Sequence, residues 1–193
     1  MQRNGKRISS PHVVLGACTV LAVLSGTGPA ICQQPLERVQ TIPLKGPHGR
    51  LDHLALDATH ACLFVANMAN ASLDIVDLKN GTLLKQIPEQ KGIQGIAYAA
   101  DLKRIFVGVG EVGVCNVFDA DNFELVKSLP FPDADNVRYD SRTQRVYVAH
   151  ADKALAVING KSLEVLADIK LPGQPESFQL EKDRPRLYLN APS

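Results

Sequence analysis

The sequence has no tryptophan and few aromatic side chains of any kind, which make up 5% of its 193 residues. It also has no excess of either charge, because 21 Lys and Arg residues stand against 20 Asp and Glu residues. Proteins that hold nucleic acid combine a basic surface with aromatic side chains on which bases stack. The composition therefore argues against a nucleic-acid partner.

The sequence contains no apolar run long enough to cross a bilayer, which takes about 20 residues. The longest run, residues 13–24, is shorter than that and lies between a basic stretch and a stretch of small residues. The basic stretch contains Arg3, Lys6 and Arg7, and the small residues occupy positions 25–30. This order is typical of a secretory signal peptide. We therefore predict a signal peptide in residues 1–32, a periplasmic or secreted protein, and no transmembrane segment after cleavage.

Two other interpretations of this leader remain open. Residues 15–18 (LGAC) resemble the cleavage box of a bacterial lipoprotein, but most of the apolar run follows Cys18 instead of preceding it. The run could also stay uncleaved as an anchor, although its length argues against that. Cleavage is favoured over both lipid anchoring and an uncleaved anchor.

Cysteine is scarce, since cleavage near Ala30 would leave only Cys32, Cys62 and Cys115. None of them belongs to a CxxC motif or to a Cys/His spacing that binds a metal. One pair could form a disulfide in an oxidising compartment, but three scattered cysteines are not a disulfide framework. We predict that Cys62 and Cys115 are small buried hydrophobic side chains.

What the sequence does contain is an internal repeat. The segment Phe64-Val65-Ala66 recurs as Phe106-Val107-Gly108, Tyr147-Val148-Ala149 and Tyr188-Leu189-Asn190, at offsets of 42, 41 and 41 residues. A second series with the same offsets consists of Leu54, Ile96, Val137 and Phe178. Self-similarity at a fixed period of this length is the signature of a repeat protein.

Each repeat is predicted to form four short strands, because apolar and polar residues alternate with period 2 and not with the period of a helix. In the first repeat the strands are predicted at residues 52–57, 62–66, 73–77 and 82–87. Asn80-Gly81 suits the two-residue hairpin turn that needs positive φ at both positions. Residues 119–122 and 159–160 occupy the equivalent bend, before fourth strands predicted at 123–129 and 163–169.

Four antiparallel strands per 41 residues or so is typical of a β-propeller blade. We predict an all-β chain with full blades at 51–92, 93–132 and 133–174 and part of a fourth at 175–193. Residues 33–50 are interpreted as the orphan outer strand of a missing last blade (36–44) and a linker. Propellers close with about four or more blades, so we expect a truncated propeller with exposed apolar surface on its first and last blades. A β-sandwich built by duplication is the alternative.

Four segments carry a resemblance to a known family: GRLDHLALD (49–57), LFVAN (63–67), DNVRYD (135–140) and PESFQL (175–180). They resemble the secreted bacterial YncE-like, YVTN-repeat β-propellers from residue 50 onward, and LFVAN and RVYVA (145–149) approximate the family's repeat signature. The resemblance implies a seven-bladed periplasmic or secreted propeller with no common catalytic reaction, whose members act as binding or scaffold proteins. Tryptophan-aspartate repeats are a poorer match, because no tryptophan precedes Asp77 or Asp119.

The candidate site follows from the alignment of the repeats. The first strand of a propeller blade lines the central channel, and the residues where these strands begin surround one channel mouth. The alignment places polar residues there, which are the channel-mouth candidates: Asp52, His53, Gln94, Asp135, Asn136, Glu176 and Ser177. Such a ring could bind a cation or a polar small molecule. The simpler alternative is that these residues cap backbone donors of the loops.

Catalytic chemistry has weaker support. His48, His53 and His150 could bind a transition metal, yet no two of them have a recognised ligand spacing. Ser177, His53 and Asp135 could be imagined as a triad, but no nucleophile-elbow motif surrounds Ser177. We therefore predict no catalytic residue, no metal site and no cofactor.

The favoured function is a secreted or periplasmic binding or scaffold protein. Its loops at the channel mouth would contact a protein, an envelope component or a small polar ligand. The alternative is a quinoprotein-like or lactonase-like propeller enzyme, and only that alternative requires calcium or a quinone at the channel.

Overall fold

The computed structural model describes residues 36–192. The described strands all belong to one compact unit, which begins at Arg38. The predicted signal peptide and Cys32 lie outside the described residues.

Fourteen strands form three complete blades and part of a fourth within residues 36–192. Blade 1 contains β1 (Leu54–Asp57), β2 (Cys62–Asn67), β3 (Ser72–Asp77) and β4 (Thr82–Ile87). Blade 2 contains β5 (Ile93–Ala99), β6 (Arg104–Val109), β7 (Val114–Asp119) and β8 (Leu125–Pro130). Blade 3 contains β9 (Val137–Asp140), β10 (Arg145–His150), β11 (Ala154–Asn159) and β12 (Val165–Lys170), and blade 4 contains β13 (Ser177–Leu180) and β14 (Leu187–Asn190). Two single 3-10 turns, Met68–Asn70 and Ala100–Leu102, interrupt the strands.

In each full blade the four strands are antiparallel and follow one another in chain order. The second strand is almost wholly buried, since it pairs on both sides and carries β-branched and aromatic residues on both faces. The fourth strand is mostly exposed. The predicted all-β propeller with incomplete closure is therefore confirmed.

The blades are arranged around their first strands, because β1, β5, β9 and β13 lie side by side in chain order. Apolar side chains fill the space between consecutive blades, for example Phe64 with Ile105, Val117 with Val146, and Leu155 with Phe178. Blade 2 packs against one face of blade 1, but no described blade packs against the opposite face. Leu54 and Leu56 are more than half exposed on that face.

The turns between the third and fourth strands differ from the sequence prediction. Asn80-Gly81 is not a two-residue hairpin turn, since only Gly81 has a positive φ, of 66°. The turn is longer and is built on the carboxylate of Asp77, which accepts hydrogen bonds from the amides of Lys79 and Asn80. In blades 2 and 3, Phe123 and Leu163 take the left-handed conformation at the position of Gly81. Their fourth strands therefore begin two residues later than predicted, at Leu125 and Val165.

The interpretation of residues 36–44 as the outer strand of a missing last blade stays a prediction, since the strands that would pair with it are not among the described ones. No hydrogen-bonded ladder forms in this segment, which is mostly exposed, because a β-strand requires a partner and none of the described strands runs beside it. Just after this segment, Gln86 Nε2 of blade 1 donates a hydrogen bond of 2.9 Å to the carbonyl oxygen of Lys45.

Cys62 and Cys115 are both buried and unpaired, as predicted for small hydrophobic side chains. Burial raises the pKa of Cys115 to about 12. No helix among the described residues is long and apolar enough to cross a membrane.

The two ends of the blades differ in what they carry. Neighbouring strands run in opposite directions, so one end of each blade contains the start of the first strand, the end of the second strand and the start of the third. We call this end the mouth end. The other, the far end, carries the turns between third and fourth strands.

Candidate functional site at the mouth end

Three blades meet at the mouth end around Asp52, His53 and Asp135. Asp52 and His53 immediately precede β1, and the amide of His53 donates a hydrogen bond of 3.4 Å to the carbonyl oxygen of Gln94 on β5. Blades 2 and 3 touch at Gly95, where an added Cβ would lie 2.0 Å from the carbonyl oxygen of Asp135. Only glycine permits this approach, which brings residues distant in the sequence to one surface.

The carboxyl group of Asp135 is electrostatically coupled to blade 1. Burial raises its pKa above the usual value, and the negative charges of Asp52 and Asp133 raise it further, while His53 and a hydrogen bond with Asn136 act in the opposite direction. Because charges affect each other in this way only at short range, Asp52, His53 and Asp135 form one electrostatic unit.

Asp52 and His53 are both largely shielded from solvent. Arg50 donates a hydrogen bond of 2.5 Å to Asp52 Oδ2, and His53 Nδ1 lies 2.9 Å from Asp52 Oδ1. This second contact has the distance of an ion pair but not the alignment of a hydrogen bond. Nδ1 of His53 is therefore a buried polar atom without a hydrogen-bond partner among the described residues, which is unusual in a folded protein.

The remaining mouth candidates are used differently. Asn136 is buried, and its Nδ2 donates a hydrogen bond of 2.8 Å to the carbonyl oxygen of Glu176, so it links blade 3 to blade 4. This is the loop-capping role that the simpler interpretation of the sequence gives it. The amide of Gln94 lies beside Gly110, and Glu176 and Ser177 are exposed. Within residues 36–192 no hydrogen bond joins Ser177 to His53 or Asp135.

A buried polar cluster at the same end was not predicted from the sequence. Asp74 on β3 is fully buried, and its carboxylate accepts hydrogen bonds from Asn67 (2.8 Å), Ser72 (2.5 Å) and Gln86 (3.1 Å). Asn116 occupies the equivalent position in blade 2 and accepts from Ser128 across 2.6 Å. A polar residue repeated within an otherwise apolar third strand is the signal that could have revealed this cluster.

The histidines that the sequence offers as metal ligands do not come together. His150 is buried, and its Nε2 lies 2.9 Å from Asp168 Oδ1 on the outer strand of blade 3. His48 is exposed on the segment before blade 1. Among the described residues no group of three or more His, Cys, Asp or Glu side chains is placed to hold a metal ion.

Comparison with known proteins gives no family assignment. No family model matches the chain, and no curated protein matches it. Solved structures do match.

Three of the similar structures illustrate the likeness. The hydrazine synthase of Kuenenia stuttgartiensis is 18% identical with a TM-score of 0.63, over 73% of this chain and 43% of that protein. The dihydro-heme d1 dehydrogenase NirN, in complex with DHE, is 17% identical with a TM-score of 0.64, over 74% and 33%. The WD40 repeats of RRP9 are 15% identical with a TM-score of 0.59, over 66% and 40%.

The chain thus spans less than half the length of each of these proteins. Structural similarity at sequence identities this low is evidence for a shared fold but not for a shared activity. WD40 repeats are a propeller architecture, so the comparison agrees with the blades described above: the fold of this chain is that of a β-propeller.

Proposed function

We propose that this chain is a binding or scaffold protein of the YncE-like, YVTN-repeat type, secreted or periplasmic, which holds a polar partner group at the mouth end. The observation that supports this most is the convergence of Asp52, His53 and Asp135 from two blades around a buried imidazole nitrogen that has no hydrogen-bond partner among the described residues. A ligand or partner side chain that hydrogen-bonds with Nδ1 would satisfy that atom, and burial strengthens such a bond.

The charges of the mouth favour a polar partner over an apolar one. Asp52 and Asp135 are acidic, while Arg50 and Arg138 supply positive charge beside them. A mixed surface of this kind recognises a partner that carries both donors and acceptors.

The proposal can be tested by photo-crosslinking in a Gram-negative bacterium that expresses the full chain with its leader. A photoreactive residue replaces Glu176, which is exposed at the mouth end, and a control chain carries it at Lys161, which is exposed at the far end. We expect a discrete adduct from position 176 that is absent from position 161. The double variant Asp52→Asn and Asp135→Asn, which removes the charges at nearly constant shape, should lose that adduct.

Three results would contradict the proposal. They are the same adduct from both positions, an adduct that persists in the double variant, and a stoichiometric metal ion or quinone in the purified full chain. The last would favour the quinoprotein-like or lactonase-like enzyme instead.

A further inference from the structure

A cavity lies at the far end, in the groove between blades 1 and 2. Its volume is about 330 Å³, at the low end of the range of ligand pockets and large enough for one long side chain. Blade 1 contributes Asp57, Cys62 and Phe64, and blade 2 contributes Tyr98, Ala120, Asp121 and Phe123. None of these residues belongs to the mouth.

The next groove along the ring shows what such a space holds. Arg104, the first residue of β6, extends from blade 2 to blade 3 and donates hydrogen bonds of 2.7 Å to the carbonyl oxygens of Gly160 and Lys161. Its guanidinium group therefore spans the groove between blades 2 and 3.

Cys62 stands in blade 1 where blade 2 has Arg104. Each is the first residue of the second strand, and each pairs with the last residue of the first and third strands: Cys62 with Asp57 and Asp77, Arg104 with Ala99 and Asp119. A cysteine is too short to reach the next blade. The groove between blades 1 and 2 consequently lacks the arginine of its neighbour and contains the cavity.

The groove between blades 1 and 2 nevertheless contains counterparts of the two backbone carbonyl groups that bind Arg104. The turn after β7 is built on Asp119, which accepts from the amides of Asp121 and Asn122. The turn after β11 is built in the same way on Asn159, which accepts from Lys161 and Ser162. Ala120 and Asp121 therefore correspond to Gly160 and Lys161, and both line the cavity.

The rest of the lining also suits a guanidinium group. Asp57, Asp77 and Asp121 outnumber the one ammonium group, that of Lys103. The buried ring of Phe64 packs edge-to-face against Phe123, with ring centres 6.5 Å apart. Phe123 is only partly buried, and the face of an aromatic ring attracts a guanidinium group. Lys85 Nζ already lies 5.6 Å from the centre of the Phe123 ring.

We propose that this groove is a docking site for an arginine side chain of a partner polypeptide, whose guanidinium group binds the carbonyl oxygens of Ala120 and Asp121 beside the ring of Phe123. The site is separate from the mouth, so either can fail a test while the other passes.

The experiment uses the full chain, labelled with ¹⁵N and titrated with the blocked peptide Gly-Arg-Gly. Matched probes are the same peptide with citrulline, which has the shape of arginine without its charge, and free arginine. We expect saturable shifts at Ala120, Asp121 and Phe123, and binding at least tenfold weaker for both the citrulline peptide and free arginine. Equal binding of the citrulline peptide would overturn the guanidinium site, and equal binding of free arginine would overturn the polypeptide source.

Two variants block the groove independently, and circular dichroism verifies that each has folded. Cys62→Arg places in blade 1 the side chain that blade 2 carries, and Tyr188→Phe, at an exposed position in blade 4, is the control outside the groove. Ala100→Phe fills the rim from an exposed position on the other side. We expect Tyr188→Phe to bind the arginine peptide like the unmodified chain and both blocking variants to lose the shifts. Undiminished binding in a folded blocking variant would contradict the proposal.

Discussion

The hydroxyl group of Tyr98 donates a hydrogen bond of 3.0 Å to Asp57 Oδ2 and so joins blade 2 to blade 1. The same carboxylate accepts a hydrogen bond of 2.6 Å from His60 Nδ1 when that ring nitrogen carries a hydrogen. Although burial by itself would raise the pKa of Asp57, the hydrogen bonds from His60 and Tyr98 outweigh it and lower the pKa below the usual value. Burial and the bond to Asp57 raise the pKa of Tyr98 to about 12.

We expect Tyr98→Phe to lower the free energy of unfolding by about 1 to 2 kcal/mol at pH 7, because a hydrogen bond to a charged acceptor is lost. Urea denaturation measures the change. Tyr188→Phe is the control, since Tyr188 is exposed and its hydroxyl bonds to Glu181 within blade 4; a change below about 0.5 kcal/mol is expected there.

The loss in free energy of unfolding caused by Tyr98→Phe should also depend on pH. The pKa of Tyr98 is higher in the folded chain than the value near 10 of an unfolded one. Its contribution is therefore complete below about pH 10 and is lost as the pH rises toward 12. A deficit that stayed constant from pH 8 to pH 12 would contradict this.

Asp135→Asn should raise the free energy of unfolding at pH 7, whereas Tyr98→Phe lowers it. Because the pKa of Asp135 is raised by burial and by Asp52 and Asp133, holding its carboxylate ionised opposes folding at neutral pH. We expect the variant to be more stable than the unmodified chain at pH 7, and the gain to shrink below about pH 4, where the carboxyl is protonated in both states. Thermal unfolding at pH 7 and pH 3 measures the difference. Lower stability at pH 7 would show that Asp135 does not lie in this environment.

Gly95→Ala should separate blades 2 and 3. The added Cβ would lie 2.0 Å from the carbonyl oxygen of Asp135 and 2.7 Å from the amide nitrogen of Val137, both backbone atoms that cannot turn away. We expect a loss of roughly 3 kcal/mol or more in the free energy of unfolding. Gly113→Ala is the comparison, because its surroundings are open but its φ is 76°, and about 1 kcal/mol is expected. Similar losses in the two variants would argue against the close blade contact.

Asp74→Ala should be strongly destabilising, since it leaves the buried polar groups of Asn67 and Ser72 without their acceptor. The expected loss is on the order of 3 kcal/mol. Asp74→Asn is the matched control, because blade 2 has an asparagine at this position, and we expect it to retain part of the stability. If chemical denaturation showed equal losses for the two variants, the hydrogen bonds of Asp74 would not be the cause.

The propeller fold could be predicted from the sequence because each blade repeats the same alternation around Phe64, Phe106 and Tyr147, so burial and strand identity follow from one pattern seen several times. The turns could not be predicted from residue type alone. Phe123 and Leu163 adopt the left-handed conformation that Gly81 takes without strain, and the side-chain acceptors of Asp119 and Asn159 hold those turns together.

The candidate site was predictable only in part. Alignment of the repeats placed Asp52, His53 and Asp135 at one end, but their electrostatic coupling depends on Gly95, which lets blade 3 approach blade 2. The cavity beside Cys62 was not apparent, since a cysteine where the next repeat has Arg104 looks like an ordinary apolar substitution until the groove is seen.

The claim that blades 1 and 3 build one mouth is tested most directly by the pKa of Asp135, followed through its carboxyl carbon by NMR. We expect a pKa above the usual value near 3.9, a lower one in Asp52→Asn because a repelling charge is removed, and a higher one in His53→Gln because an attracting group is removed. A pKa that neither variant moves would contradict the mouth described above.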